Sequence, residues 1–160
     1  MLKVALLYST FITMISPKIK TLFIEIVSAL VIFLFIYASV SKIIDYQKFK
    51  IQLGQSPILT SLAGFTSWFI PAIEILVSIL LILPRYRLAG LYASFSLMAM
   101  FSAYIVAITK YSEFIPCSCG GVLQHMNWNE HLIFNLVFFT LIASSIMLFR
   151  TKSNRSILLQ

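Results

Sequence analysis

Four apolar runs divide this chain: Leu22–Ile44, Ser67–Leu83, Leu88–Thr109 and His131–Phe149. Each approaches the ~20 residues, within a range of about 17–25, that a helix needs to cross the hydrocarbon core of a bilayer. Polar punctuation separates them. Asp45–Thr66 is polar, contains Gly54, Pro57 and Gly64, and is long enough to hold a short surface helix. Pro84-Arg85-Tyr86-Arg87 reads as a tight turn, which makes the second and third helices antiparallel neighbours. Asn127-Trp128-Asn129-Glu130 has the spacing of a capping box at the start of the fourth helix. Trp128 then falls where an interfacial aromatic belongs. The pattern predicts an all-α, integral membrane four-helix bundle over residues 21–150, followed by a basic tail at 151–160. No repeat is visible, and no small-xxx-small seam stands out, so homo-association is left open.

Residues 1–20 form a lead-in of a different kind. Met1-Leu2-Lys3 followed by an apolar run to Ile15 has the opening of a signal peptide, yet Ser16-Pro17-Lys18 follows where a small-x-small cleavage site belongs. The run is too short to cross a membrane. It reads as an interfacial helix, with Pro17 bending the chain before Lys18 and Lys20. A start codon set too early is the alternative.

Composition strengthens the membrane reading. Hydrophobic residues make up 60% of the chain and charged residues 11%, against about 25% charged in soluble domains. No soluble domain is expected beside the bundle. The net charge of +7 could suggest nucleic acid, but its distribution argues for topology instead. With the amino terminus inside, Lys3, Lys18, Lys20, Arg85, Arg87, Arg150, Lys152 and Arg155 are cytoplasmic, and Lys42, Lys48, Lys50 and Lys110 are outside. The positive-inside rule therefore favours two cytoplasmic termini, although Lys48 and Lys50 oppose it. The chain is expected in a bacterial inner membrane, with the segment Lys110–Glu130 on the oxidising outer face.

That segment carries the candidate chemistry. Pro116-Cys117-Ser118-Cys119-Gly120-Gly121 holds both cysteines of the chain, one residue apart. Thiols so close cannot staple distant parts of a fold, which leaves exchange chemistry, metal ligation or a local turn lock. Exchange needs a thiolate, favoured by nearby cations and helix amino termini; His125, His131 and the start of the fourth helix are close in sequence. A Cys-x-Cys disulfide closes a small strained ring, which suits shuttling more than holding. Gly120 and Gly121 give the backbone freedom such a ring needs. Cys117, Cys119, His125 and His131 also form a C-x-C-x5-H-x5-H set compatible with zinc or copper, although the spacing is not a familiar one. A third reading is a non-enzymatic subunit or adaptor whose cysteines lock a turn.

Polar groups within apolar runs are expensive and draw suspicion. Glu74 lies near the middle of the second run, with Pro71 and Ser78 on the same helical face. It either fastens two helices or serves as a proton relay or hydrogen-bond partner of a bound quinone. Glu25 sits about one turn into the first run. Tyr37, Ser41, Lys42 and Asp45 form a polar stripe at its far end.

Over roughly residues 20–150 the chain resembles the MauE branch of the DoxX-like four-helix membrane proteins. The resemblance rests on Lys42 and Asp45 at the end of the first helix, Pro71 and Glu74 in the second, and Cys117, Cys119 and Gly120 before the last. Such proteins are similar in architecture to the vitamin K epoxide reductase and DsbB class, which couples thiol–disulfide exchange to a quinone. The resemblance implies oxidative maturation of exported proteins, with an exported thiol or thioredoxin-like protein as partner. With one cysteine pair where those enzymes use two, a complete internal electron relay is excluded.

Overall fold

The computed structural model describes residues 16–55, 60–111 and 127–157. Among them every regular element is helical: α1 (Pro17–Ile44), α2 (Tyr46–Gln55), a 3-10 turn (Thr60–Leu62), α3 (Ala63–Ile82), α4 (Arg87–Tyr111) and α5 (Trp128–Ile157). Four of these, all but α2 and the 3-10 turn, are long and apolar enough to cross a membrane. The protein is a multi-pass membrane protein built as a four-helix bundle.

The helices overrun the apolar runs at most ends, because a helix continues through its polar caps while hydropathy stops at the hydrocarbon edge. Pro17 shows this at the start of α1. The break expected there is instead the first helical position, where a missing N–H costs nothing and the fixed φ suits the helix. Lys18 and Lys20 therefore belong to α1 itself, and residues 1–15 of the expected lead-in lie outside the described residues. At the other end, the Asp45 amide donates to the Ser41 carbonyl at 3.1 Å and the Phe49 amide to the Asp45 carbonyl at 2.9 Å. The chain thus passes into α2 with one residue of turn, and α2 is the short helix expected between Asp45 and Thr66.

The expected turn is also present: Tyr86 N–H donates to the Leu83 carbonyl at 3.0 Å, between antiparallel α3 and α4. At the start of α5 the Asn127 amide donates to Glu130 Oε2 at 2.9 Å, one half of the predicted capping box.

Around the bundle, α1 packs on α3 and α5, α4 packs on the same two, and α2 lies against α3. The core interleaves Val27, Val31 and Phe35 of α1 with Val77 and Leu81 of α3, Leu91 and Met98 of α4, and Ile142 of α5. The outside is as apolar as the inside, with Phe33, Phe65, Trp68 and Ile133 largely exposed. That is expected where lipid takes the place of water. Lipid offers no hydrogen bonds, so buried hydroxyls turn back on their own helices. Ser78 donates to the Glu74 carbonyl at 2.9 Å and Ser94 to the Gly90 carbonyl at 2.8 Å.

The α3–α4 contact is close at Gly90. A Cβ added at Gly90 would sit 2.9 Å from the Leu81 backbone nitrogen. Gly90-x-x-x-Ser94 is a small-xxx-small seam that the sequence reading passed over, and it is used inside the bundle.

Candidate functional site

One end of the bundle collects the ends of α1 and α4, the starts of α3 and α5, and the whole of α2. Lys42, two residues from the end of α1, turns inward there. Its Nζ donates to Glu74 Oε1 of α3 at 2.6 Å, and the two side chains are 12% and 1% exposed. The Phe49 ring of α2 and the Phe101 ring of α4 each have their centre 5.9 Å from the ammonium. Both faces hold a cation by their electron-rich surface, and they also exclude solvent from the ion pair. Pro71, Glu74 and Ser78 are all buried on one face of α3, as their spacing predicts.

The α4–α5 register brings a fourth helix to this level. Phe95 and Phe139 stack with centroids 4.3 Å apart. Two turns toward the loop end, roughly 10–12 Å at 1.5 Å per residue, lie Ser102 on α4 and His131 on α5. His131 is half-buried, stacks on Trp128 with centroids 6.4 Å apart, and lies within electrostatic reach of Lys42. One turn deeper, Asn135 is 4% exposed.

Taking two charges out of water is costly unless geometry and further hydrogen bonds compensate. Here compensation is partial. Glu74 Oε2, Ser102 Oγ, His131 Nδ1 and Asn135 Nδ2 are buried with no hydrogen-bond partner. A charged centre with spare hydrogen-bonding capacity, set within apolar helices, is where function concentrates.

The expected polar stripe on α1 divides in two. Tyr37, Ser41 and Asp45, at four-residue spacing, line a shallow outward groove with Phe33, Ile36, Val40 and Ile44. Lys42, about 100° further round the helix, leaves them for the interior. Glu25 lies toward the opposite end, exposed, with Arg87 Nη1 at 3.8 Å. Cys117, Cys119, Gly120, Gly121 and His125 lie outside the described residues, so of the possible metal set His131 alone is described. Among the described residues no three His, Cys, Asp or Glu side chains group to hold a metal. The chain nevertheless ties the cysteines to this end, since residues 112–126 join the end of α4 to the start of α5.

Sequence reasoning missed Phe49, Phe101 and Ser102. Two ordinary phenylalanines and a serine in apolar helices carry no signal before the helices are assembled. Asn135 had one: an amide four residues after His131 inside an apolar run.

The family model described as Methylamine utilisation protein MauE matches residues 20–149. Comparison with curated proteins and with solved structures returns no match.

Proposed function

This chain belongs to the MauE family, and from that premise we propose that it is a membrane thiol–disulfide exchange protein acting on an exported partner. The Cys117–Cys119 disulfide is the oxidant. A partner thiolate attacks one sulfur, the other leaves as a thiolate, and the partner's second thiol resolves the mixed disulfide. The partner gains a disulfide, while Cys117 and Cys119 take up two electrons and two protons. A membrane quinone returns the pair to the disulfide by accepting those electrons and protons as quinol. Residues 112–126 face the outside of a bacterial inner membrane in this reading, where such a partner is folding.

The observation that supports this best is the Lys42–Glu74 pair, with His131 within electrostatic reach of Lys42, at the end of the bundle that the cysteine segment joins. Thiol–disulfide exchange moves protons as well as electrons, and a carboxylate, an ammonium and an imidazole at that end can take and return them. The four spans supply the fold, so the cysteine pair is free to break and re-form.

Two experiments test the reading. In intact cells, a maleimide that cannot cross membranes is expected to label the reduced cysteines without permeabilisation. Labelling only after permeabilisation inverts the topology. Cys117→Ser or Cys119→Ser is expected to abolish exchange while leaving the protein inserted and abundant. The remaining thiol then traps the oxidised partner by attacking the partner's disulfide, the reverse of this exchange, because the second cysteine that would resolve that mixed disulfide is gone. Absence of any trapped species, with a double serine variant fully active in the cell, overturns exchange and leaves an adaptor role. Stoichiometric zinc or copper in the purified protein, lost on His125→Ala, would instead favour the metal reading.

A further inference from the structure

We propose that Glu74, Ser102, His131 and Asn135 enclose ordered water inside the bundle, forming a hydrogen-bonded path from the Lys42–Glu74 pair toward the end where the cysteine segment joins. Each presents a polar atom that is buried and unpartnered: Oε2, Oγ, Nδ1 and Nδ2 respectively. Leaving a buried hydrogen-bonding group unmade carries a desolvation penalty. Four such penalties would weigh heavily against the marginal stability of a folded protein.

Ser102 points to the same conclusion by contrast. Ser39, Ser67, Ser78, Ser94 and Ser145 all donate to a carbonyl of their own helix. Ser102, also on a regular helix, does not; among the described residues Ser28 of α1 shares this, at the far end of the bundle, away from the other three groups. The Ser102 hydroxyl is left for a partner other than its own helix.

Chemistry selects that occupant. The hydroxyl and the amide nitrogen offer hydrogen bonds, whereas the carboxylate oxygen can only accept them. An anion would face Glu74, and a metal cation would sit beside the Lys42 ammonium. A carbonyl compound would leave Glu74 Oε2 unanswered, and an apolar molecule would answer none of the four. Water donates and accepts, and it is stable in a buried site with two to four polar partners. The ion pair, paired through one oxygen only, gains its missing hydrogen bond in this way.

Such a path has a use that rests on the exchange reading: oxidising the two thiols releases two protons, and water beside a carboxylate can carry them. Hydration itself is independent of that use, so the two are tested separately.

The test is X-ray hydroxyl-radical footprinting of the full-length chain in lipid nanodiscs, read by mass spectrometry. Radicals form from water in place, so side chains beside internal water are oxidised even where bulk solvent is excluded. Phe101 is expected to oxidise several-fold faster than Phe35, which is 1% exposed in the core. Phe101 is partly exposed and Phe35 is not, so the deciding comparison is with a variant that removes the polar groups, and an unchanged Phe101 rate there also overturns the proposal. Ser102→Ala with Asn135→Leu is expected to lower the Phe101 rate toward that of Phe35 while helical content is kept. Equal rates for Phe101 and Phe35 in the unsubstituted protein overturn the proposal. The double cysteine-to-serine variant should label as the parent does. Loss of mixed-disulfide trapping with Phe101 labelling intact would sink exchange and leave the water site standing.

Discussion

Lys42→Met is expected to destabilise the protein by about 3–5 kcal/mol, the cost of breaking a buried pair from one side, and adding Glu74→Leu should recover most of it. The single substitution strands a carboxylate that is 1% exposed, with one oxygen already unpartnered. The double substitution removes both charges and leaves apolar side chains among Phe49, Phe101 and the neighbouring helices. Both singles and the double, unfolded reversibly in the same lipid–detergent mixture, form a cycle whose interaction energy isolates the pair. Additive losses would show that the two side chains are not coupled in the membrane. The double variant has a second use. If it folds like the parent but no longer exchanges disulfides, the pair is there for the chemistry and not for stability.

The second large effect is expected at Gly90. Its missing side chain lets α4 approach α3 so closely that an added Cβ would lie 2.9 Å from the Leu81 nitrogen and 3.0 Å from Leu81 Cγ and Cδ2. The backbone nitrogen cannot swing aside as a flexible side chain can, so the helices must part. Overfilling of this kind costs about 1–3 kcal/mol, and the cost should rise from Gly90→Ala through Gly90→Val to Gly90→Leu. Gly64 is the internal control. Nothing lies within 4 Å of its added Cβ, so Gly64→Ala should be neutral or slightly stabilising in a helix. Equal effects at the two glycines would refute close packing at Leu81.

Apolar length was enough to locate four spans, because the hydrocarbon core imposes a minimum on every one of them. The turn at Leu83–Tyr86 was equally legible, since proline and two arginines leave the chain little else to do there. What could not be read was the partner of Glu74. Lys42 and Glu74 are 32 residues apart, and their meeting depends on how far α1 slides against α3. That slide is governed by Asp45–Leu62, whose composition allows a short surface helix but does not announce how that helix docks. The stripe on α1 shows a related gap. Ser41 and Lys42 are adjacent in sequence, yet helical geometry sends one toward lipid and the other toward the core. For the cysteine pair the sequence supplied chemistry, and its neighbours on the chain supplied a location.

The unequal helix lengths carry a mechanical consequence. At about 1.5 Å per residue, α1 with 28 residues and α5 with 30 rise roughly 42–45 Å, whereas α3 with 20 rises only about 30 Å. The short helix matches a hydrocarbon core of about 30 Å and so sets the depth at which the bundle floats. The neighbouring pair, α1 and α5, must then lean or stand proud of the bilayer, with Lys18, Lys20 and Arg150 near the projecting ends. A thicker membrane would draw those charges toward the acyl chains and tilt the pair, which also carries Lys42 and His131. Bilayer thickness thus becomes a lever on the alignment of the charged centre.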